Sequence, residues 1–530
     1  MPSQSNCLVP HDPTYRRVWM FPRNVRKIEP WKVAQYLSIF EGLRDDTWSG
    51  NQQVQNFFRK KLVDKGIVRD ASPYDPHSGG PRTYEAQLRS LGLIYRSDRK
   101  SIELTLAGES ICNSAPPLAV LQRQLLHQQY PSPYSAGMQV RIHPGLRVKP
   151  LLFILNLLKR PAIASLTANE MIIPMIYGHN HGCEALCAEK ILLYRAGASI
   201  ESLIDNPRED LHTPRTAGNS IESRLKDVFD IANTCKNYLE SCLLISPILR
   251  DSITAYQFNP DAEEEYLRAL SDLDKFIANP EIETSFQRAY GAWNREKDIR
   301  HAPSSTPKRN IEASFIQAHF FEYCGTHVVT GMSDELIDHI YRAMGIPKEK
   351  IRAVVENLLP RSLDLFESRY LELSVGGAPL ATEFEQATCN LFKSGLGLDA
   401  QWVGSKRKSR AEKGAFTDIV FYSPDQSECG LADTKATAYY NLPSTDFAKM
   451  VSNYLPNYKA IAREGSHLRQ CTYVAGGFAD SFDAEASKLH AAAGIPCSGI
   501  RAKDLLTLSQ KGGPPKSNWD IFSHSGRIRP

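Results

Sequence analysis

Helical and extended periodicities alternate in blocks along the chain, and one local plan occurs twice. In the first copy, YEAQLRSLGLI (84–94) carries Leu88 and Leu91 at helical spacing and runs into an extended Leu93–Arg96 stretch. The polar residues SDRK (97–100) predict a turn, SIELT predicts a second strand, and Ala107–Gly108 open another helix. In the second copy, ESRLKDVFDIANTCKNYLESC (222–242) predicts a long helix, followed by a strand near Leu243–Ile245. A turn at Arg250–Asp251 and a strand near Ile253–Phe258 come next, and Asn259–Pro260 begins a helix with proline at a tolerated early position.

From Pro260 to about Pro360 the pattern is helical and acidic, beginning with AEEEYLRALSDLDKFI. It breaks at HAPSSTPKRN (301–310) and resumes with helices over Ile311–Cys324, Ser333–Met344 and Lys348–Leu359. Beyond residue 370 strands and helices alternate. The spacing predicts helix 381–393, strands 416–422 and 430–436, helix 444–462, strand 471–477, helix 483–493, strand 497–500 and helix 502–510. FAKMVSNYLPNYKAI puts Phe447, Met450, Val451, Tyr454 and Tyr458 on one face, and Pro456 inside it predicts a kink or break. An αβββαβ-like order around one sheet is the simplest solution.

Composition narrows the classes. The 530 residues are 42% hydrophobic and 23% charged, as in soluble globular protein. The longest apolar run, Pro150–Leu158, is too short to span a bilayer, and MPSQSNCLVPHDP lacks the charged-then-apolar pattern of a secretion signal. A soluble, cytoplasmic protein with no membrane partner is therefore expected. Eleven cysteines without a CxxC pair predict reduced, mostly buried thiols. His179, His181, Cys183 and Cys187 have zinc-ligand chemistry, but their HxHxCxxxC spacing fits a polar turn entering a helix better than a closed zinc site. The net charge is only +4, yet residues 1–160 hold 23 Lys and Arg against 12 Asp and Glu. A basic front on a mildly acidic remainder suits nucleic-acid binding. A helix followed by a basic hairpin is the layout of a winged helix, with Arg96, Arg99 and Lys100 where a wing tip would meet DNA backbone.

The chemistry is concentrated in FTDIVFYSPDQSECGLADTKAT (416–437). Asp418 lies on one strand, and Asp433 and Lys435 on the next. Residues i and i+2 of a strand share a face, so Asp433 and Lys435 project together. If the two strands pair around the SPDQSE turn, both carboxylates meet beside the lysine. Two adjacent carboxylates repel unless a divalent cation lies between them, and hard oxygen ligands suit Mg²⁺. This is a donor set for phosphodiester hydrolysis, with Asp418, Asp433 and a helix carboxylate as metal ligands and Lys435 beside the attacking water. The preceding helix, TEFEQATCNLF, offers Glu383 and Glu385. Its buried face would be Phe384, Ala387, Thr388 and Leu391, and Glu385 is taken as the site-side acid. Before the first catalytic strand, SKRKSRAEKG supplies Lys406, Arg407, Lys408 and Arg410, either as a solvated loop or as phosphate contacts.

DTKATAYYNLP, with Tyr440, Asn441, Leu442 and Pro443, resembles the FokI-type cleavage domain of type IIS restriction endonucleases. KIEPWKVAQYLSIFEG, Trp48-x-Gly50, LTLAGESI, QLLHQQYPSP and HPGLRVKPLLFILNLLKR resemble the AlwI family of type IIS enzymes and its nicking relatives. The resemblance implies an enzyme that reads a short asymmetric double-stranded DNA site and cuts to one side of it with Mg²⁺. Asp418, Asp433 and Lys435 fall on the PD-(D/E)xK motif, with Glu385 as the helix acid. A transient homodimer through the cleavage domain and a separate cognate methyltransferase are also implied. The fold expected is multidomain α+β: winged-helix-like DNA-recognition domains at 1–150 and 151–265, a helical linker at 266–370, and a PD-(D/E)xK α/β domain with a central mixed sheet at 371–530. A strand-specific nickase of the same build is the nearer alternative. A non-catalytic winged-helix regulator is the alternative from another class, and the intact Asp418, Asp433 and Lys435 argue against it.

Overall fold

The computed structural model describes residues 7–22, 27–43, 46–64, 79–113, 115–137, 140–214, 219–292, 298, 311–404 and 416–529. The chain divides into two compact units, Met1–Ala318 and His319–Pro530. Among the described residues no helix is long and apolar enough to cross a membrane. None of the eleven cysteines is in a disulfide; ten are buried and Cys7 is half-buried.

The first unit contains two similar runs of elements. In the first run, helix Pro30–Gly42 is followed by a bridge at Thr47, helices Gln52–Asp64 and Gly79–Ser90, and the hairpin of β1 (Ile94–Arg96) and β2 (Ile102–Leu104). Thr47 pairs antiparallel with Ser101, adding one rung beside the hairpin. In the second run, helix Pro150–Lys159 is followed by β3 (Ser165–Leu166). Helices Ile172–Tyr177, Glu184–Arg195 and Ile221–Ser241 come next, and then the hairpin of β4 (Ile245–Arg250) and β5 (Ile253–Phe258). The sheet order is β3-β5-β4, all antiparallel. The two-residue turn Asp251–Ser252 has positive φ at both positions, the form that matches strand twist in a hairpin.

Each hairpin is braced by a core beneath it. Leu88, Leu91, Leu93, Ile102 and Leu104 are buried under the first. The helix Glu283–Tyr290 also lies against β1. Tyr290 packs over Gly92, where a Cβ would come within 2.4 Å of its ring, and φ there is +66°. Only glycine satisfies both the left-handed backbone and the close approach. Glu170, with its side chain 1% exposed, follows β3 and joins the helix Glu184–Arg195 to β4: it accepts from Arg195 and from Arg250 at 2.7 and 2.6 Å.

The second unit is built on a six-stranded sheet ordered β11-β10-β9-β8-β7-β6. β6 (Asp399–Trp402), β7 (Ile419–Tyr422) and β8 (Glu428–Thr434) form an antiparallel meander. β9 (His467–Ala475), β10 (Cys497–Arg501) and β11 (Gly526–Arg527) continue it in parallel. The sheet is therefore mixed, with helices on both faces, and the expected αβββαβ order is present. β7 shows why the faces separate. Ile419 and Phe421 enter a core with Phe384, Ala387, Phe392, Leu505 and Phe522. Val420 and Tyr422 enter the opposite core with Tyr440, Met450, Tyr473 and Phe482. Period-two alternation with apolar residues at every position is the signature of a strand covered on both sides.

The helix Ala381–Asn390 buries Phe384, Ala387 and Thr388, and Leu391 follows in a π-helical turn, Leu391–Gly395. The helical stretch from Ser444 does break around Pro456. It passes from α-helix (Ser444–Lys449) to a π-helical turn (Met450–Tyr454), a short α segment (Leu455–Asn457) and a 3₁₀ turn. The wider turn absorbs the hydrogen bond and the space that proline removes.

Candidate active site

β7 and β8 pair with Ile419 opposite Ala432, so the next step of the ladder sets Asp418 opposite Asp433. Parity then puts Asp433 on the face of Leu431, with Lys435 following on the same side. The Lys435 Nζ lies 2.8 Å from Asp433 Oδ2. The Lys435 backbone N–H donates to Val474 O at 2.8 Å, extending the parallel pairing past the end of β8 and fixing the lysine's root.

Asp418 is anchored through Oδ2, which accepts from Thr434 N at 2.7 Å and from Thr434 Oγ1 at 3.0 Å. Its carbonyl accepts from Val403 N and Gly404 N, which ties it to the end of β6. Glu385 arrives from the helix Ala381–Asn390, where Oε2 accepts from Trp402 Nε1 at 3.0 Å. Gly404 lies directly beneath that carboxylate: a Cβ there would fall 2.5 Å from Glu385 Oε2 and 2.9 Å from Trp402 Nε1. Glu383, one residue before Phe384, points elsewhere and pairs with Arg369 at 2.7 Å. Of the two helix acids, the structure brings Glu385 to Asp418 and Asp433.

The electrostatics are those of like charges held together. Burial pushes the Asp418 carboxyl well above its usual range, and the Asp433 and Glu385 carboxylates push it further. Burial also raises Glu385, with Asp433 adding to the shift and the Trp402 N–H opposing it. Burial works against the Lys435 ammonium, but Asp433, together with Asp446 and Asp418, outweighs it and raises the lysine. Lys435 is therefore charged at neutral pH. Asp418 Oδ1, Asp433 Oδ1 and Glu385 Oε1 have no hydrogen-bond partner among the described residues. An all-oxygen set with repulsion unrelieved by protein cations, apart from one lysine, has the chemistry to hold a hard divalent ion.

Asp446 is a site residue that sequence reading missed. It stands in the first turn of the helix Ser444–Lys449, 3.2 Å from Lys435 Nζ, and accepts from Tyr440 Oη at 3.1 Å. Its only sequence signal was an acid in the first turn of a helix, which is ordinary helix chemistry. Strand β6, which supplies Trp402, was also missed. Tyr473 lies opposite Asp433 in β9, and its buried hydroxyl has no hydrogen-bond partner among the described residues.

The other expected residues are placed as follows. Arg99 and Lys100 are exposed on the turn between β1 and β2. Arg96 is instead engaged in a two-pronged ion pair with Glu85, at 2.9 and 3.0 Å. Lys406, Arg407, Lys408 and Arg410 lie outside the described residues. In the His179–Cys187 segment, His179 Nδ1 accepts from Val9 N, and its Nε2 meets Ile176 O. His181 uses Nε2 for Lys149 N and Nδ1 for Glu184. Both imidazoles are committed to the fold, and Cys183 and Cys187 are buried, as expected of a polar turn entering a helix.

Residues 345–520 match the family described as "FokI, cleavage domain", which supports a nuclease. No curated protein matches the chain in sequence. Among solved structures, that of restriction endonuclease FokI is similar at 12% identity, covering 98% of this chain and all of that one, with a TM-score of 0.29. FokI bound to DNA is similar at 12% identity, over 97% of this chain and 99% of that one, with a TM-score of 0.28. The BpuJ1 endonuclease binding domain, in complex with pyrene- and phenanthrene-modified DNA, is similar at 14% identity, over 53% of this chain and all of that one, with a TM-score of 0.34.

Proposed function

We propose that the chain is a type IIS restriction endonuclease of the AlwI type, with DNA-reading modules in front and a Mg²⁺-dependent FokI-like cleavage domain behind. The observation that carries this reading is the placement of Asp418, Asp433, Lys435 and Glu385 at one end of the mixed sheet, within the segment that matches the FokI cleavage domain. Asp418, Asp433 and Glu385 are the residues that would hold the ion. Once bound, it would supply charge neutralisation at the scissile phosphate and a more acidic water.

The chain's own groups do the rest. Trp402 and Thr434 each fix one oxygen of a carboxylate and leave the other for ligation. Lys435 is held as an ammonium, so its role is to orient the attacking water and stabilise developing negative charge rather than to act as a base. Asp446 and Tyr440 keep that ammonium from swinging away from Asp433.

The twofold order of helix, short strand, helices and hairpin supports winged-helix modules in the first unit. In the first hairpin Arg99 and Lys100 are the groups offered to phosphate, while Arg96 braces the hairpin against Glu85. The test is incubation of the purified protein with methylation-free plasmid in Mg²⁺ and in EDTA, followed by sequencing of the ends. Mg²⁺-dependent fragments at a constant offset from one short asymmetric motif are expected. Open circles alone would replace the double-strand cutter with a nickase. Tight binding without cleavage on varied unmodified DNA would overturn the enzyme reading.

A further inference from the structure

Among the described residues, one group of His, Cys, Asp and Glu side chains brings three ligand atoms within 4.8 Å of one another, and it does not include the nuclease carboxylates. His319 and Glu322 stand one turn apart on the helix Ile311–Cys324, and His339 lies on the helix Asp334–Met344. One ligand atom from each lies within 4.8 Å of the other two. His319 Nδ1 and Glu322 Oε2 are 3.2 Å apart, and as an i,i+3 pair on one helix they are unexceptional. The third member is different. The Nε2 of His339 is buried and has no hydrogen-bond partner among the described residues. Buried polar atoms are nearly always paired, so an orphaned imidazole nitrogen beside two further ligands points to a missing partner.

The surroundings keep His339 suitable for ligation. Its ring lies 5.2 Å from that of Tyr323, which is itself stacked on His327 at 4.1 Å. The nearby Arg342 turns its guanidinium to Asp338 O at 3.2 Å. Ligands at about 2.0–2.2 Å from a tetrahedral ion sit about 3.4 Å from one another, so separations within 4.8 Å close by small side-chain rotations.

We propose that His319, Glu322 and His339 form a transition-metal site of the zinc class that clips these two helices together just ahead of the nuclease segment. Two imidazole nitrogens and one carboxylate oxygen favour Zn²⁺ over Mg²⁺, with water in the fourth position. Asp418, Asp433 and Glu385 offer oxygen only, so the two sites discriminate between ions by donor type. This assignment stands whether or not the nuclease reading does.

The experiment uses the untagged full chain, stripped with chelator, re-equilibrated with Zn²⁺ in excess Mg²⁺, desalted, and assayed for bound zinc by mass spectrometry. About one retained zinc per chain is expected. His339→Ala and Glu322→Gln should lose it, and Asp433→Asn should keep it. Zinc retained unchanged by His339→Ala, or lost in Asp433→Asn alone, would overturn the site. Where His339→Ala does not fold, Co²⁺ substitution of the wild-type chain decides: visible d–d absorption that Zn²⁺ abolishes supports the site, and no absorption overturns it.

Discussion

Glu170 in the first unit and Asp418 in the second are carboxylates withdrawn from water in opposite ways. Glu170 is clamped by Arg195 and Arg250 and by the N–H of Thr167, and these partners outweigh burial and lower its pKa. Asp418 faces Asp433 and Glu385, and burial together with those charges raises its pKa. One acid closes a charge network and holds a small sheet together. The other stands among like charges, with Lys435 as the cation beside them. The fold pairs charge at the first and leaves like charges together at the second.

The largest expected effect breaks the second arrangement. Asp433→Ala and Lys435→Ala should each lower cleavage on the order of a thousandfold while specific DNA binding persists, read by plasmid cleavage beside gel shift. A variant that cuts normally would return Asp433 and Lys435 to the role of a structural ion pair. Next comes the first arrangement. Glu170→Gln should cost about 3 kcal/mol at neutral pH, because two arginines lose their shared partner. The folded pKa of Glu170 is depressed, so its contribution is complete above the unfolded glutamate pKa and fades as pH falls through the folded value. Denaturant unfolding of wild type and variant should therefore converge in acid; a gap independent of pH would assign the loss to packing instead.

Gly404→Ala should reduce cleavage by about tenfold with little loss of stability, since the added methyl displaces Glu385 rather than a core side chain. Equal cleavage rates would remove Glu385 from the site. The smallest effect sharpens the contrast directly. Asp418→Asn should slightly stabilise the metal-free protein at neutral pH, because it removes a carboxylate that burial and the Asp433 and Glu385 charges disfavour. With the folded pKa of Asp418 raised, its ionised form is a cost above the unfolded pKa that disappears in acid, so the gain should vanish as pH falls.

What was legible in the sequence follows from short-range geometry. Strand parity placed Asp433 and Lys435 on one side, and helical spacing named Phe384, Ala387, Thr388 and Leu391 as one buried face. The proline in the helix after Pro443 announced its break. The elements that escaped are those whose partners are distant or whose length is too small for a period. β3 and β11 have two residues each, and β6 has four. Arg96 lay at a plausible wing position, but its side chain was decided by Glu85, eleven residues earlier on a helix. Glu385 was taken as the site acid from the helix pattern, and the structure separates the two acids by giving Glu383 to Arg369 and Glu385 to Trp402. His319 and His339 sit on separate helices, so no linear motif joins them.

The contact between Lys435 and Asp433 makes the lysine the resident cation of the metal-free site. On the proposed reading, a divalent ion would compete with it for the same carboxylate, so the residue proposed to orient the attacking water would also weaken ion capture. Removing it by Lys435→Ala should tighten Mg²⁺ binding in calorimetry even as cutting is lost. The enzyme would then be set to engage its ion fully only when a phosphate offers the ammonium another anion to hold.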